Sequence, residues 1–127
     1  MDEREQADAG AAGAEVAKAQ VLRTEVLGPE VLGVAALGER ATLVQFSSAF
    51  CQPCRATRRT LADVSAMVEG VAHVEIDAEE HLSLVRELEI TATPTVLVLD
   101  AAGRVVTRAS GLPRRADVIA ALGTAVG

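Results

Sequence analysis

The chain has 127 residues, half of them apolar and a quarter charged, the size and make-up of one soluble globular domain with a single core. A formal net charge of −6 repels phosphate backbones and anionic lipid, and the absence of tryptophan and tyrosine removes the usual base-stacking side chains, so neither nucleic acid nor a membrane is an expected partner. No apolar run approaches the ~20 residues of a membrane helix and "MDEREQADAG" lacks the basic and apolar regions of a secretion signal, so the cytoplasm is the expected compartment.

Residues 1–18 combine Ala, Gly and acid, and Asp2, Glu3, Glu5, Asp8 and Glu15 against Arg4 and Lys18 supply half of the net charge. Few large apolar groups occur there, so the stretch is expected to be a flexible tail ahead of a domain over 19–127. "QVLRTEVL" at 20–27 suits a short edge strand. "GPEVLGVAALG" follows as a short helix, with Pro29 where a first turn tolerates it and Gly38 where a helix can stop.

"ATLVQFS" at 41–47 reads as a buried strand. A helix is predicted over 52–69, where Leu61, Val64, Ser65 and Val68 recur at spacings of three and four and Gly70 marks the end. "VAHVEID" at 71–77 alternates, with Ala72, Val74 and Ile76 on one face and His73, Glu75 and Asp77 on the other. A further helix over 79–89 carries Leu82, Val85 and Leu88 on one stripe, after a solvated acidic start at Asp77, Glu79 and Glu80. "PTVLVLDAAGRVVTRAS" spells two strands around the turn "DAAG", and "LPRRADVIAALGTAVG" closes the chain as a helix bearing Val118, Ile119 and Leu122. The strand–helix–strand unit implies a right-handed parallel crossover, whereas the hairpin must be antiparallel. The expected architecture is α/β, a mixed sheet of four to five strands with helices on both faces.

Both cysteines lie in "AFCQPCR", where strand 41–47 hands over to the following helix. The pair admits three readings: a redox couple, half of a metal site, or two small buried hydrophobes. At a helix start, exposed amides and the positive end of the dipole stabilise a thiolate on Cys51. Pro53 fits the first turn, and Arg55, Arg58 and Arg59 add positive potential. This makes Cys51 the nucleophile and the more sheltered Cys54 the residue that resolves a mixed disulfide. The arginines also suit a plainly solvated helix face. A zinc site would need His73 and His81, but eighteen residues and then an H-x7-H spacing miss the usual pattern, so no metal is expected.

With "LVQFSSAFCQPCR", "VEID", "TPTVLVLD" and "GRVVTRASG" in this order, the chain resembles the thioredoxin family from about residue 41 to 123. The resemblance implies the thioredoxin fold, a cis Pro94 beside the two sulfurs, and a Thr93 backbone that pairs with an extended substrate segment. It also implies a groove lined at Gly111, a residue whose alternative role is to end a strand. The family's tryptophan before the first cysteine is Phe50 here, still an apolar lip, and the one further upstream is Ser47. The Gln-Pro dipeptide leaves the direction of electron flow open. Where many relatives place a buried aspartate and a lysine, this chain has Gln45 and His73. Glutamine does not titrate, so His73, through Gln45 or a water, is one candidate to accept the proton of Cys54; the other reading has His73 facing solvent.

The expected function is thiol–disulfide exchange with protein disulfides or dithiols, by a monomer without cofactor, recharged by a partner reductase or oxidant. The alternative is a peptide-binding or scaffold module that uses the groove at Pro94 with little redox turnover.

Overall fold

A computed structural model describes residues 25–127. The expected tail over 1–18 and the first part of the expected strand at 20–27 lie outside the described residues. What is described of that strand is an isolated antiparallel bridge between Val26 and Arg104. Two backbone hydrogen bonds flank it, Leu27 N–H to the Gly103 carbonyl at 2.8 Å and Val105 N–H to the Glu25 carbonyl at 2.9 Å. Leu27 is buried, and the chain then turns at Gly28 into a helix begun by Pro29.

That first helix, α1 (Pro29–Leu32), is one turn long, shorter than the run up to Gly38 suggested. Gly33 adopts a left-handed conformation (φ 74°) and donates its amide back to the carbonyls of Glu30 and Pro29, which closes the helix. Strand β1 (Ala41–Ser47) follows, then α2 (Gln52–Met67), β2 (Val71–Asp77), a 3-10 turn over Ala78–Glu80, α3 (Leu82–Glu87), β3 (Thr95–Asp100), β4 (Val105–Ser110) and α4 (Arg115–Val126). The described residues form one four-stranded sheet in the order β2-β1-β3-β4. β1 runs parallel to β2, with Gln45 opposite Glu75, and antiparallel to β3, which pairs antiparallel with β4. This is the mixed sheet expected from the element order.

Side-chain parity along β1 divides the core in two. Val44 and Phe46 join Val74, Ile76, Leu97 and Leu99 on one face, beneath Leu84, Leu88 and Ile90 from α3 and the loop after it. Ala41 and Leu43 join Val96 and Val98 on the other, beneath Leu61 and Val64 of α2 and Val118 and Leu122 of α4. Every residue of β1 is buried because the strand is central and covered on both sides. Cys54, Thr57, Leu61 and Val64, spaced 3, 4 and 3, form the buried stripe of α2.

Two helical stripes differ from expectation. His81, at φ −135° and ψ 51°, breaks the 3-10 turn from α3, which rotates Leu84 and Leu88 inward and leaves Leu82 exposed. In α4 the buried pair is Val118 and Leu122, four residues apart, while Ile119 stands on the outer side. The "DAAG" turn is as expected: Gly103 lies at φ 90°, and a Cβ there would stand 2.5 Å from the Leu27 carbonyl oxygen.

Candidate active site

β1 and α2 converge on the two cysteines. β1 ends at Ser47, Ser48–Phe50 turn the chain, and Cys51 occupies the N-cap of α2 with an extended backbone (φ −98°, ψ 103°). Its side chain acts as the cap: the Cys54 amide donates to Cys51 Sγ at 3.2 Å. An N-cap acceptor meets the unpaired amides of the first turn, so the same geometry favours negative charge on this sulfur once it is reduced. Pro53 follows within the first turn, where its missing N–H costs nothing.

Cys51 and Cys54 are joined by a disulfide with their Cα atoms 5.2 Å apart, and no free cysteine remains. The two sulfurs have unequal access. Cys54 is 1% exposed, whereas Cys51 is partly open to solvent. Phe50, fully exposed, lines a shallow hollow with Cys51, Gln52 and Arg55. The second wall of the site comes from the start of β3. The Thr93–Pro94 peptide is cis, and the Thr93 hydroxyl lies 2.9 Å from that of Ser48, linking this segment to the turn before Cys51. The buried Pro94 accepts the Gly111 amide at 2.9 Å through its carbonyl. Gly111 has φ 81° with nothing within 4 Å of a built Cβ, so it serves the turn out of β4 and leaves open space beside it.

Under the cysteines lies a polar network on the sheet face covered by α2. Gln45, fully buried, donates from Nε2 to the Cys54 carbonyl at 2.8 Å and to Ser47 Oγ at 3.0 Å. Its Oε1 lies 3.3 Å from His73 Nε2. The Ser47 hydroxyl donates to Glu75 Oε2 at 2.8 Å, and Glu75 takes a bidentate ion pair from Arg58, at 2.6 Å from Nε and 2.7 Å from Nη2. His73 therefore packs inward against Gln45 and does not stand free in solvent. Nor is Arg58 free to lend its charge to the sulfurs, since Glu75 engages it.

The electrostatics follow from these contacts. The Arg58 hydrogen bonds, outweighing the cost of partial burial, hold the Glu75 carboxyl below its usual range, and Glu75 raises Arg58 in return. Burial lowers the His73 pKa below its ordinary 6.5, partly opposed by Glu75 and helped by Arg58, so the ring is neutral at pH 7.

His81, the other candidate metal ligand, bonds the Asp77 carbonyl at 3.0 Å in the loop after β2. Among the described residues, no group of three or more His, Cys, Asp or Glu side chains is placed to hold a metal ion.

Ser47, Glu75 and the Arg58 pairing are the residues that sequence reasoning did not assemble. The signal was present: Gln45 and Ser47 share one parity in β1, His73 and Glu75 share one parity in β2, and parallel neighbours bring the four onto one face.

A family model described as a thioredoxin-like domain matches residues 29–125. Human thioredoxin domain-containing protein 2 is 39% identical over 57 residues, which are 45% of this chain and 10% of that protein. Rice thioredoxin H5 is 28% identical over 60 residues, 47% of this chain and 44% of that protein, so the match spans less than half the length of either relative. Among solved structures, a chain from the complex of ferredoxin:thioredoxin reductase with thioredoxin f2 superposes with a TM-score of 0.61 at 21% identity, covering 71% of this chain and 81% of that one. The sheet order, the bridged cysteines at the α2 N-terminus and a family match over most of the sequence converge, and this chain belongs to the thioredoxin-like domain family.

Proposed function

We propose that this protein exchanges electrons with protein disulfides through the Cys51–Cys54 couple. The observation that carries the reading is the asymmetry of the pair: an accessible sulfur that caps a helix, bridged to a buried one. In the reducing direction, the Cys51 thiolate attacks one sulfur of a substrate disulfide. The substrate S–S bond breaks, and the departing substrate thiolate takes a proton. Cys54 then gives up its proton, and its thiolate attacks Cys51 Sγ. This releases the second substrate thiolate and forms the Cys51–Cys54 bridge, so two electrons have moved to the substrate. A partner reductase restores the dithiol; with an oxidant partner the same steps run backwards.

The surroundings fit such a substrate. Phe50 offers an apolar lip and Arg55 a positive charge in the hollow beside Cys51. Thr93, half-exposed ahead of Pro94, is placed to pair its backbone with an extended segment, and the open space at Gly111 leaves room for one. His73, whose Nε2 lies 3.3 Å from the Gln45 carboxamide that holds the Cys54 carbonyl, is the proton acceptor for Cys54 in this reading.

Reduction of insulin by dithiothreitol tests the reading. The wild-type protein is expected to accelerate precipitation of the insulin B chain, and Cys51→Ser to return the rate to that of dithiothreitol alone. Arg55→Glu should slow the reaction at low salt, and His73→Ala should slow it near neutral pH. Rates for His73→Ala equal to wild type from about pH 6 to 9 would remove the ring as a base. A wild-type protein that adds nothing to the dithiothreitol rate would leave the groove as a peptide-binding site without turnover.

A further inference from the structure

We propose that Ser47 and Glu75 are positioning residues that hold His73 in one tautomer, with its proton on Nε2, so that Nδ1 is the atom that accepts a proton. This rests on the redox reading for its consequence, but the tautomer itself is argued from the hydrogen-bond network alone.

Arg58 bonds both oxygens of Glu75, so the carboxylate is ionised and can only accept. The Ser47 hydroxyl must therefore donate to Glu75 Oε2, which leaves Ser47 Oγ as an acceptor toward Gln45. A carbonyl can only accept, so the Cys54 carbonyl also requires a donor from Gln45. These two neighbours take both hydrogens of the Gln45 carboxamide, fix its nitrogen toward them and turn its oxygen to His73. An amide oxygen accepts, and so His73 Nε2 carries the hydrogen. A neutral imidazole holds only one, which leaves Nδ1 bare.

The charged groups that act on the ring are Glu75 from its own strand and Arg58 from α2. From β1 it meets the uncharged Gln45.

One mechanistic consequence is that Gln45 does not conduct a proton from Cys54 to His73. Its N–H bonds point at Cys54 and Ser47, and the ring atom that it touches is already protonated. When Cys54 Sγ–H is deprotonated during resolution, the proton leaves by way of water and is taken up at Nδ1, giving an imidazolium. That imidazolium later returns the proton to solvent.

Nitrogen-15 NMR of the histidine ring tests this. In the wild-type protein at neutral pH, the His73 Nε2 signal is expected in the range of a protonated ring nitrogen and Nδ1 in that of a bare one. Gln45→Leu removes the acceptor at Nε2, and Glu75→Gln loosens the chain that orients it. Both should shrink the separation between the two ring signals as the second tautomer appears. A wild-type spectrum with the hydrogen on Nδ1, or a Gln45→Leu spectrum with unchanged ring signals, overturns the proposal.

The rate of mixed-disulfide resolution should fall about tenfold per pH unit below the ring pKa read in the same titration. A fixed tautomer with no such rate dependence would confirm the positioning and reject His73 as the base. The same rate dependence without a fixed tautomer would reject the positioning and keep His73 as the base.

Discussion

A Cys54→Ser variant is expected to accumulate a covalent adduct with its substrate, while Cys51→Ser forms none and loses turnover altogether. The geometry gives the two sulfurs different tasks. Cys51 is open to solvent at the cap of α2, and its sulfur already accepts the Cys54 amide, a bond that strengthens when the acceptor carries charge. Cys54 lies 1% exposed beneath it, with its carbonyl held by Gln45, so an outside disulfide meets Cys51 first. With serine at position 54 the first exchange still proceeds, but no thiolate is left to attack the mixed disulfide. Non-reducing electrophoresis of the variants, after incubation with an oxidised protein substrate, checks both outcomes. Adducts formed by Cys51→Ser and not by Cys54→Ser would invert the assigned roles.

The largest stability loss from a single substitution is expected at Phe46. The chain has only two phenylalanines, and their fates are opposite: Phe46 is fully buried, Phe50 fully exposed. Phe46 packs with Val44, Val74, Ile76, Leu97 and Leu99 in a core that has no other aromatic ring, so nothing of similar size is at hand to fill the space it leaves. Phe46→Ala should cost about 3–5 kcal/mol. Against a typical total of about 5–15 kcal/mol, that is a large share of the stability of the domain. Phe50→Ala removes a side chain that touches mainly water and should change stability by less than about 0.5 kcal/mol. It should weaken substrate binding instead, by taking away the apolar lip of the hollow. Chemical denaturation of the two variants beside wild type measures the contrast, and equal midpoints for the two would contradict the burial assigned to them.

How far the sequence could be read depended on whether the pattern was local. β1 was legible because "ATLVQFS" is a β-rich run suited to burial on both faces, and β2 because the two-residue period of a strand is written directly into "VAHVEID". The site position was legible for the same reason: a C-x-x-C motif opening a helix after a strand has a local signature. The stripes of α3 and α4 were not fully legible. His81 changes the helical phase before α3, and Ile119 has the apolar character of a core residue but lies beside the stripe marked by Val118 and Leu122. α1 was overestimated because apolar residues continue past Gly33, where backbone conformation, and not polarity, ends the helix.

The network beneath the cysteines sits between these cases. Each of Gln45, Ser47, His73 and Glu75 has a parity that the sequence reveals, yet only the parallel register of β1 on β2 brings Gln45 opposite Glu75. Its partner Arg58 comes from a third element, seventeen residues away along the chain. Read singly, a histidine on a strand and an arginine on a helix are ordinary surface residues. Read together with Gln45 and Ser47, they belong to one hydrogen-bond network that reaches the backbone carbonyl of Cys54.

The central claim is that the helix start ionises Cys51, and the most direct measurement is the pH dependence of alkylation at Cys51 in the reduced protein, read by mass spectrometry. A midpoint clearly below the ~8.5 of a free cysteine thiol is predicted. A midpoint at or above that value would contradict the account, because the amides that cap the helix would then confer no acidity on the sulfur they face.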